Sequence, residues 1–127
     1  VAEHIFQATG LFEWIQTEDL MDTVTALSGS GPAYVFMLAE AMQAAAEKQG
    51  LPAHTAQVLA VQTFVGAAKM LSESGEPAAI LRQRVTSPNG TTHAAIEQFE
   101  QGGLRELVQT AMNAATERGR ALSKEND

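Results

Sequence analysis

The stretch from Pro32 to Gln49 limits most strongly what this chain can fold into. Its Val35, Phe36, Met37, Leu38, Ala39, Ala41 and Met42 leave nearly every direction of a helix apolar. A helix on the surface of a globule keeps one face polar, whereas one that is apolar all round has to be enclosed. One neighbouring helix cannot cover it, so the pattern places this segment at the centre of a bundle or of a dimer. Glu40, set inside the apolar run, is expected either at a seam reached by water or paired with a basic residue across the dimer.

The punctuation around this segment divides the rest of the chain. From Asp19 a helix-like run, LMDTVTAL, leads to Ser28-Gly29-Ser30-Gly31-Pro32, where Pro fits the first turn of the next helix. Gly50 supplies a left-handed cap, and Leu51-Pro52 resets the chain for a third helix that runs to about Ser74 and is closed by Gly75. Val58, Val61, Val65 and Ala68 form one stripe on it, widened by Leu59, Phe64 and Leu71, and Gly66 admits another backbone. A short helix from about Pro77 to Val85 and another from about Thr92 to Gln101 follow, and Gly102-Gly103 breaks the chain. The last helix, Leu104 to about Ser123, is expected to bury Leu107, Val108, Ala111, Met112 and Ala115. Upstream, Leu11 to Gln16 reads as a short strand without a partner to receive its hydrogen bonds. Residues 1–18 are therefore expected to be the tail of a preceding domain, with Val1 inside a longer parent chain, and residues 19–127 a helical domain. The fold class expected is all-α, a helical bundle that interlocks with a second copy, plus that residual N-terminal strand.

Composition narrows the function classes. With 127 residues, 45% of them hydrophobic, the chain has enough apolar side chains for a single domain with one core, and its scarcity of aromatics (6%) favours close helix packing. A net charge of −7 opposes broad attraction to nucleic acid or anionic lipid, although a few local N–H groups can still hold a small acid. No cysteine is present, which excludes disulfides and thiolate chemistry. The longest apolar tract, Ala33 to Ala46, is interrupted by Glu40 and Gln43 and is too short to span a bilayer, and the N-terminus lacks the features of a signal peptide. These features together predict a soluble, cytoplasmic protein with no membrane or nucleic-acid partner. His4, His54 and His93 are far apart, with no i, i+4 pairing or acidic partner to mark a metal site or a triad, so surface or packing roles are expected. His93 adjoins Thr92, but its side chain is expected to point away from any ligand there.

The segment with chemical potential is Val85 to Thr92, VTSPNGTT. It joins a turn-forming Pro-Asn-Gly to two hydroxyls just before a helix whose first N–H groups have no intrahelical acceptor. A carboxylate can satisfy those donors, and Gly90 presents no Cβ to a ligand approaching the backbone. The same residues also suit a plain surface turn with Ser87 or Thr92 as helix cap. The turn alone leaves both readings open. The SGSGP segment is not a dinucleotide fingerprint, because Tyr34 stands at the third glycine position and Pro32 removes a donor.

The wider strings PAAILRQRVTSPNGTTHAAIEQFEQGG (Pro77 to Gly103), ALSGSGPAY (Ala26 to Tyr34) and GAAKML (Gly66 to Leu71) resemble pyrroline-5-carboxylate reductase, from about Asp19 to the last helix. The resemblance implies a helical domain that follows a Rossmann domain binding NADPH or NADH, forms an interlocked homodimer and supplies the substrate loop. Higher assemblies of dimers are known in that family, and the sequence does not fix their number. It implies that Ser87 hydrogen-bonds the substrate carboxylate with the backbone N–H groups of Gly90, Thr91 and Thr92 around it. The Thr92 hydroxyl then faces the ring nitrogen as the catalytic group. SGSGP reads first as a structural helix-entry turn, while the resemblance leaves room for Ser28 to Ser30 to line the nicotinamide side. The implied reaction is NAD(P)H-dependent reduction of 1-pyrroline-5-carboxylate to proline, with this part inactive alone. Asn89 departs from the Gly-Gly common after the Pro in that family, and because Asn tolerates positive φ the loop shape is expected to be kept. The runner-up is a different class of function, a non-enzymatic helical oligomerisation or interaction module whose apolar helices meet those of partners, and composition alone does not reject it.

Overall fold

The computed structural model describes residues 18–125, so His4 and the strand expected at Leu11 to Gln16 lie outside the described residues. Every regular element among the described residues is helical. In chain order they are α1 (Glu18–Val24), a π-helical turn (Thr25–Gly29), α2 (Gly31–Lys48), α3 (Ala53–Glu73), α4 (Ala78–Arg84), α5 (Thr91–Gln101) and α6 (Leu104–Glu125). None is long and apolar enough to cross a membrane. The helix boundaries fall where the glycines and prolines place them. Gly50, at φ 112°, ends α2 in a left-handed cap: its N–H bonds the Glu47 carbonyl at 3.0 Å, and the Leu51 N–H bonds that of Ala46 at 3.1 Å.

These helices form two compact units, residues 18–35 with 103–125, and Phe36–Gly102. In the first, α1 and the π turn pack on α6. Ala26 is 1% exposed, Thr116 is buried, and Gly119 lets the Asp22 carboxylate approach so closely that a Cβ there would lie 3.0 Å from Oδ1. The sequence pattern predicts an unbroken helical run to Leu27, but the chain winds out at Thr25. The Ser30 N–H reaches five residues back to the Thr25 carbonyl at 2.8 Å, and the Ser28 hydroxyl donates to the Val24 carbonyl at 2.9 Å. A serine bonding back to the i−4 carbonyl loosens the regular ladder, and Pro32 has no N–H with which to continue it.

In the second unit, α4 lays Leu81 against Ala67, Met70 and Leu71 of α3, leaving an apolar groove of about 280 Å³ that ends at Val85. Ala56 and Ala60 are the buried side chains of α3, and they line a groove with Met42, Ala46 and Leu51.

The single-chain core expected from composition does not form. Among the described residues the buried hydrophobic side chains are Ala26, Ala56, Ala60 and Leu81. Phe36 and Met37 are each 71% exposed, and the Val58, Val61 and Val65 stripe of α3 faces outward. On α6 the inward side is the one carrying Thr116, while Leu107 and Val108, expected to be buried, are exposed. Helices apolar on most sides need more neighbours than one copy of this chain supplies. Glu40 is exposed and has no ion-pair partner among the described residues.

Candidate functional site

The turn between α4 and α5 brings Ser87, Gly90, Thr91 and Thr92 together. Helix α4 ends as the Val85 N–H bonds back to the Arg82 carbonyl, and the Thr86 hydroxyl takes up that same carbonyl from beyond the helix end. The exposed pair Arg84–Glu76, 3.1 Å, ties the far side of α4 and contributes little at that exposure. The Gly90 N–H then donates to the Ser87 carbonyl at 3.0 Å, closing a four-residue turn over Pro88 and Asn89. Asn89 sits at φ 63°, and it is the only non-glycine with positive φ among the described residues. Pro at the second place and a left-handed residue at the third make this a type II turn.

Helix α5 begins on Gly90, which is extended (φ −88°, ψ −175°) and offers no side-chain cap. Its first internal bond is Ala94 N–H to the Gly90 carbonyl, 3.1 Å. The N–H groups of Thr91, Thr92 and His93 thus have no acceptor within the helix, and the dipole adds partial positive charge where they emerge. The hydroxyls of Ser87, Thr91 and Thr92 make no hydrogen bond with other described residues; Ser87 and Thr91 are exposed and Thr92 is half-buried. Such a cluster can grip one carboxylate. A Cβ on Gly90 would stand 3.3 Å from the Ser87 carbonyl oxygen, on the side where Ser87 meets the helix.

Two features refine the sequence reading. The Gly90 N–H is committed to the Ser87 carbonyl, so the unengaged backbone donors at the start of α5 are those of Thr91, Thr92 and His93. His93 does have partners, contrary to expectation: its Nδ1 accepts the Asn89 N–H at 2.9 Å, and its Nε2 lies 3.2 Å from Glu97 Oε1, one helical turn on. The signal was present in the sequence as His-x-x-x-Glu, an i, i+4 pair that a search for metal ligands and triads passes over. His54 is exposed at the start of α3.

Gly29 and Gly31 lie in the π turn and the first turn of α2, preceded by a helix and not by a strand. The described residues therefore provide no dinucleotide cradle of the Rossmann kind. They also contain no group of three or more His, Cys, Asp or Glu that could hold a metal ion.

The sequence pattern of the pyrroline-5-carboxylate reductase dimerisation family matches residues 18–122, which takes in both helical units and the turn. The chain belongs to the pyrroline-5-carboxylate reductase dimerisation family. It is 50% identical over 125 residues to the pyrroline-5-carboxylate reductase of Pseudomonas aeruginosa, covering 98% of this chain and 45% of that one. To the Arabidopsis thaliana enzyme it is 45% identical over 107 residues, 84% of this chain and 39% of the relative. Among solved structures, the Coxiella burnetii pyrroline-5-carboxylate reductase superposes with a TM-score of 0.82 at 49% identity, over 85% of this chain and 40% of that one. The Plasmodium falciparum pyrroline carboxylate reductase with NADP bound gives 0.79 at 34% identity, over 84% and 40%. The chain thus spans less than half the length of these reductase relatives.

Proposed function

We propose that this chain is the dimerisation and substrate-gripping part of an NAD(P)H-dependent pyrroline-5-carboxylate reductase, which reduces 1-pyrroline-5-carboxylate to proline. Residues 1–18 are assigned to the tail of the cofactor-binding domain and residues 19–127 to the helical domain. The observation that carries the reading is the glycine-capped start of α5, where the Thr91, Thr92 and His93 N–H groups and the Ser87 hydroxyl stand unengaged within the family-matched segment.

Reducing a cyclic imine requires hydride at carbon while nitrogen ends protonated, so the protein's task is to align the reactants. NADPH or NADH supplies the hydride and belongs to the preceding domain. Ser87 and the Thr91 and Thr92 N–H groups hold the carboxylate, and Gly90 keeps the approach free of a Cβ. The Thr92 hydroxyl, on the first turn of α5, meets the ring nitrogen; it does not ionise near neutrality and acts as an orienting hydrogen-bond partner. The exposed faces of α2 and α3, with Phe36, Met37, Val58 and Val65, become buried in a homodimer. We place the protein in the cytoplasm, in keeping with a cysteine-free chain. A non-enzymatic oligomerisation module would use the same helix faces but leaves the donors at α5 without a purpose.

Titration of the full chain with L-proline, read by amide chemical shifts, tests this reading. Shifts centred on Ser87 and Thr91 to His93, and lost in S87A, are expected. No shift there at millimolar proline, or NADPH-dependent imine reduction by the chain without an added cofactor domain, would overturn it.

A further inference from the structure

We propose that His93 is a positioning residue that latches the Pro88–Asn89 peptide in the one orientation that leaves the α5 donors clear for a carboxylate, an inference that rests on the carboxylate-binding reading above. Pro88 has no N–H, the Gly90 N–H is held by the Ser87 carbonyl, and the Asn89 N–H is held by His93 Nδ1. Every backbone donor from Pro88 to Gly90 is thereby used or missing, and the next along the chain are those of the first helical turn.

The latch is needed because of what stands at position 89. A type II turn places its third residue at positive φ, which glycine adopts freely and an L side chain does not. Asn tolerates the left-handed region better than most, yet the alternative type I turn, with the Pro88–Asn89 peptide flipped and Asn89 at negative φ, satisfies the same closing bond without that cost. The flip would turn the Asn89 N–H away from His93 and bring the Pro88 carbonyl round in its place. An imidazole Nδ1 lone pair facing that point accepts the N–H and repels the carbonyl, so the ring selects the type II form. Acceptance requires Nδ1 to be unprotonated, which puts the ring proton on Nε2. Glu97 Oε1 at 3.2 Å is placed to receive it and so fixes both the tautomer and the ring plane. The arrangement resembles a capping box displaced by one residue, with the N3 side chain reaching back to the residue before the cap.

The experiment has two arms on the full chain. The first reads the latch itself, whatever the turn binds. A strong Pro88 Hα to Asn89 amide NOE and an unprotonated His93 Nδ1 in a long-range nitrogen correlation spectrum are expected in the unsubstituted protein. The NOE should weaken in H93A and persist in H93N, whose Oδ1 replaces Nδ1 as acceptor. An Nδ1-protonated His93, or an NOE unchanged in H93A, overturns the proposal. The second arm measures L-proline affinity. H93A should weaken it roughly tenfold, the scale set by the cost of a left-handed backbone, with H93N close to the unsubstituted protein. In the N89G background the H93A change should have little effect, because glycine needs no latch. An equal loss from H93A in both backgrounds means that the ring acts by some route other than the peptide, which also overturns the proposal. Absence of proline binding with the NOE pattern as expected removes the carboxylate reading and with it the functional role of the latch.

Discussion

The Tyr34 hydroxyl donates a 2.6 Å hydrogen bond to the Ala26 carbonyl, tying the first turn of α2 back onto the π turn that precedes it. Ala26 is almost completely buried, and its carbonyl lies where the regular helical ladder has already failed. Y34F removes the donor while keeping the ring. An unsatisfied partly buried carbonyl costs ~1–3 kcal/mol, so the urea midpoint should fall by the equivalent of about 1–2 kcal/mol. An unchanged midpoint would mean that water replaces the hydroxyl at no cost.

Asn89 offers a graded test of the turn. Its φ of 63° is open to glycine, tolerable to asparagine and strained for alanine, and worse for a β-branched side chain. N89G should leave stability within about 0.5 kcal/mol, since the relief of backbone strain is offset by the extra freedom of the unfolded chain. N89A should lower it by about 1 kcal/mol, and N89V by more. Urea denaturation ranks the three. A ranking in which N89V is the mildest would mean that the turn has re-formed as type I.

Much of this architecture was legible in the sequence, and the exceptions have physical causes. Pro32, Gly50, Pro52, Gly75 and Gly102-Gly103 act through their own backbone preferences, so they place helix ends whatever surrounds them. The burial of helix faces is different. The Val58, Val61 and Val65 stripe and the Leu107, Val108 pair have the period of a buried face but are exposed in the single chain, because periodicity reports that a face must be covered and not by which molecule. The π turn at Thr25 depends on a serine hydroxyl and a missing proline N–H acting together, which no single-residue preference encodes. At the candidate site the Ser-Pro-Asn-Gly-Thr-Thr string marked the turn and its donors. The bond from Asn89 to His93 escaped because it is a side-chain-to-backbone contact across a helix start, where the expected direction of the side chain pointed away.

The exposed apolar helix faces predict self-association. Phe36 and Met37, each 71% exposed on α2, are surrounded by other apolar side chains, so a charge placed there meets a desolvated partner surface in a dimer and only water in a monomer. Light scattering should give at least twice the 13.5 kDa chain mass for the unsubstituted protein and a shift towards the monomer for F36D and M37D. A monomeric mass for the unsubstituted chain at micromolar concentration would count against the homodimer.

Two glycines separate folding from binding. Gly103 joins α5 to α6 at φ 78°, and alanine there should cost about 1 kcal/mol of stability by forcing an L side chain into the left-handed region, with no direct effect on the turn. Gly90 has an extended backbone that alanine adopts readily, so G90A should destabilise by only ~0.5–1 kcal/mol, the difference between glycine and alanine as a helix cap. Its new methyl would stand 3.3 Å from the Ser87 carbonyl oxygen and 3.5 Å from Ser87 Cβ, pressing on the side chain that is to hold the carboxylate. Proline affinity should therefore drop by roughly tenfold or more in G90A, a 1.4 kcal/mol effect, and stay near its original value in G103A. If G90A binds proline as well as the unsubstituted chain does, the carboxylate is held somewhere other than the start of α5.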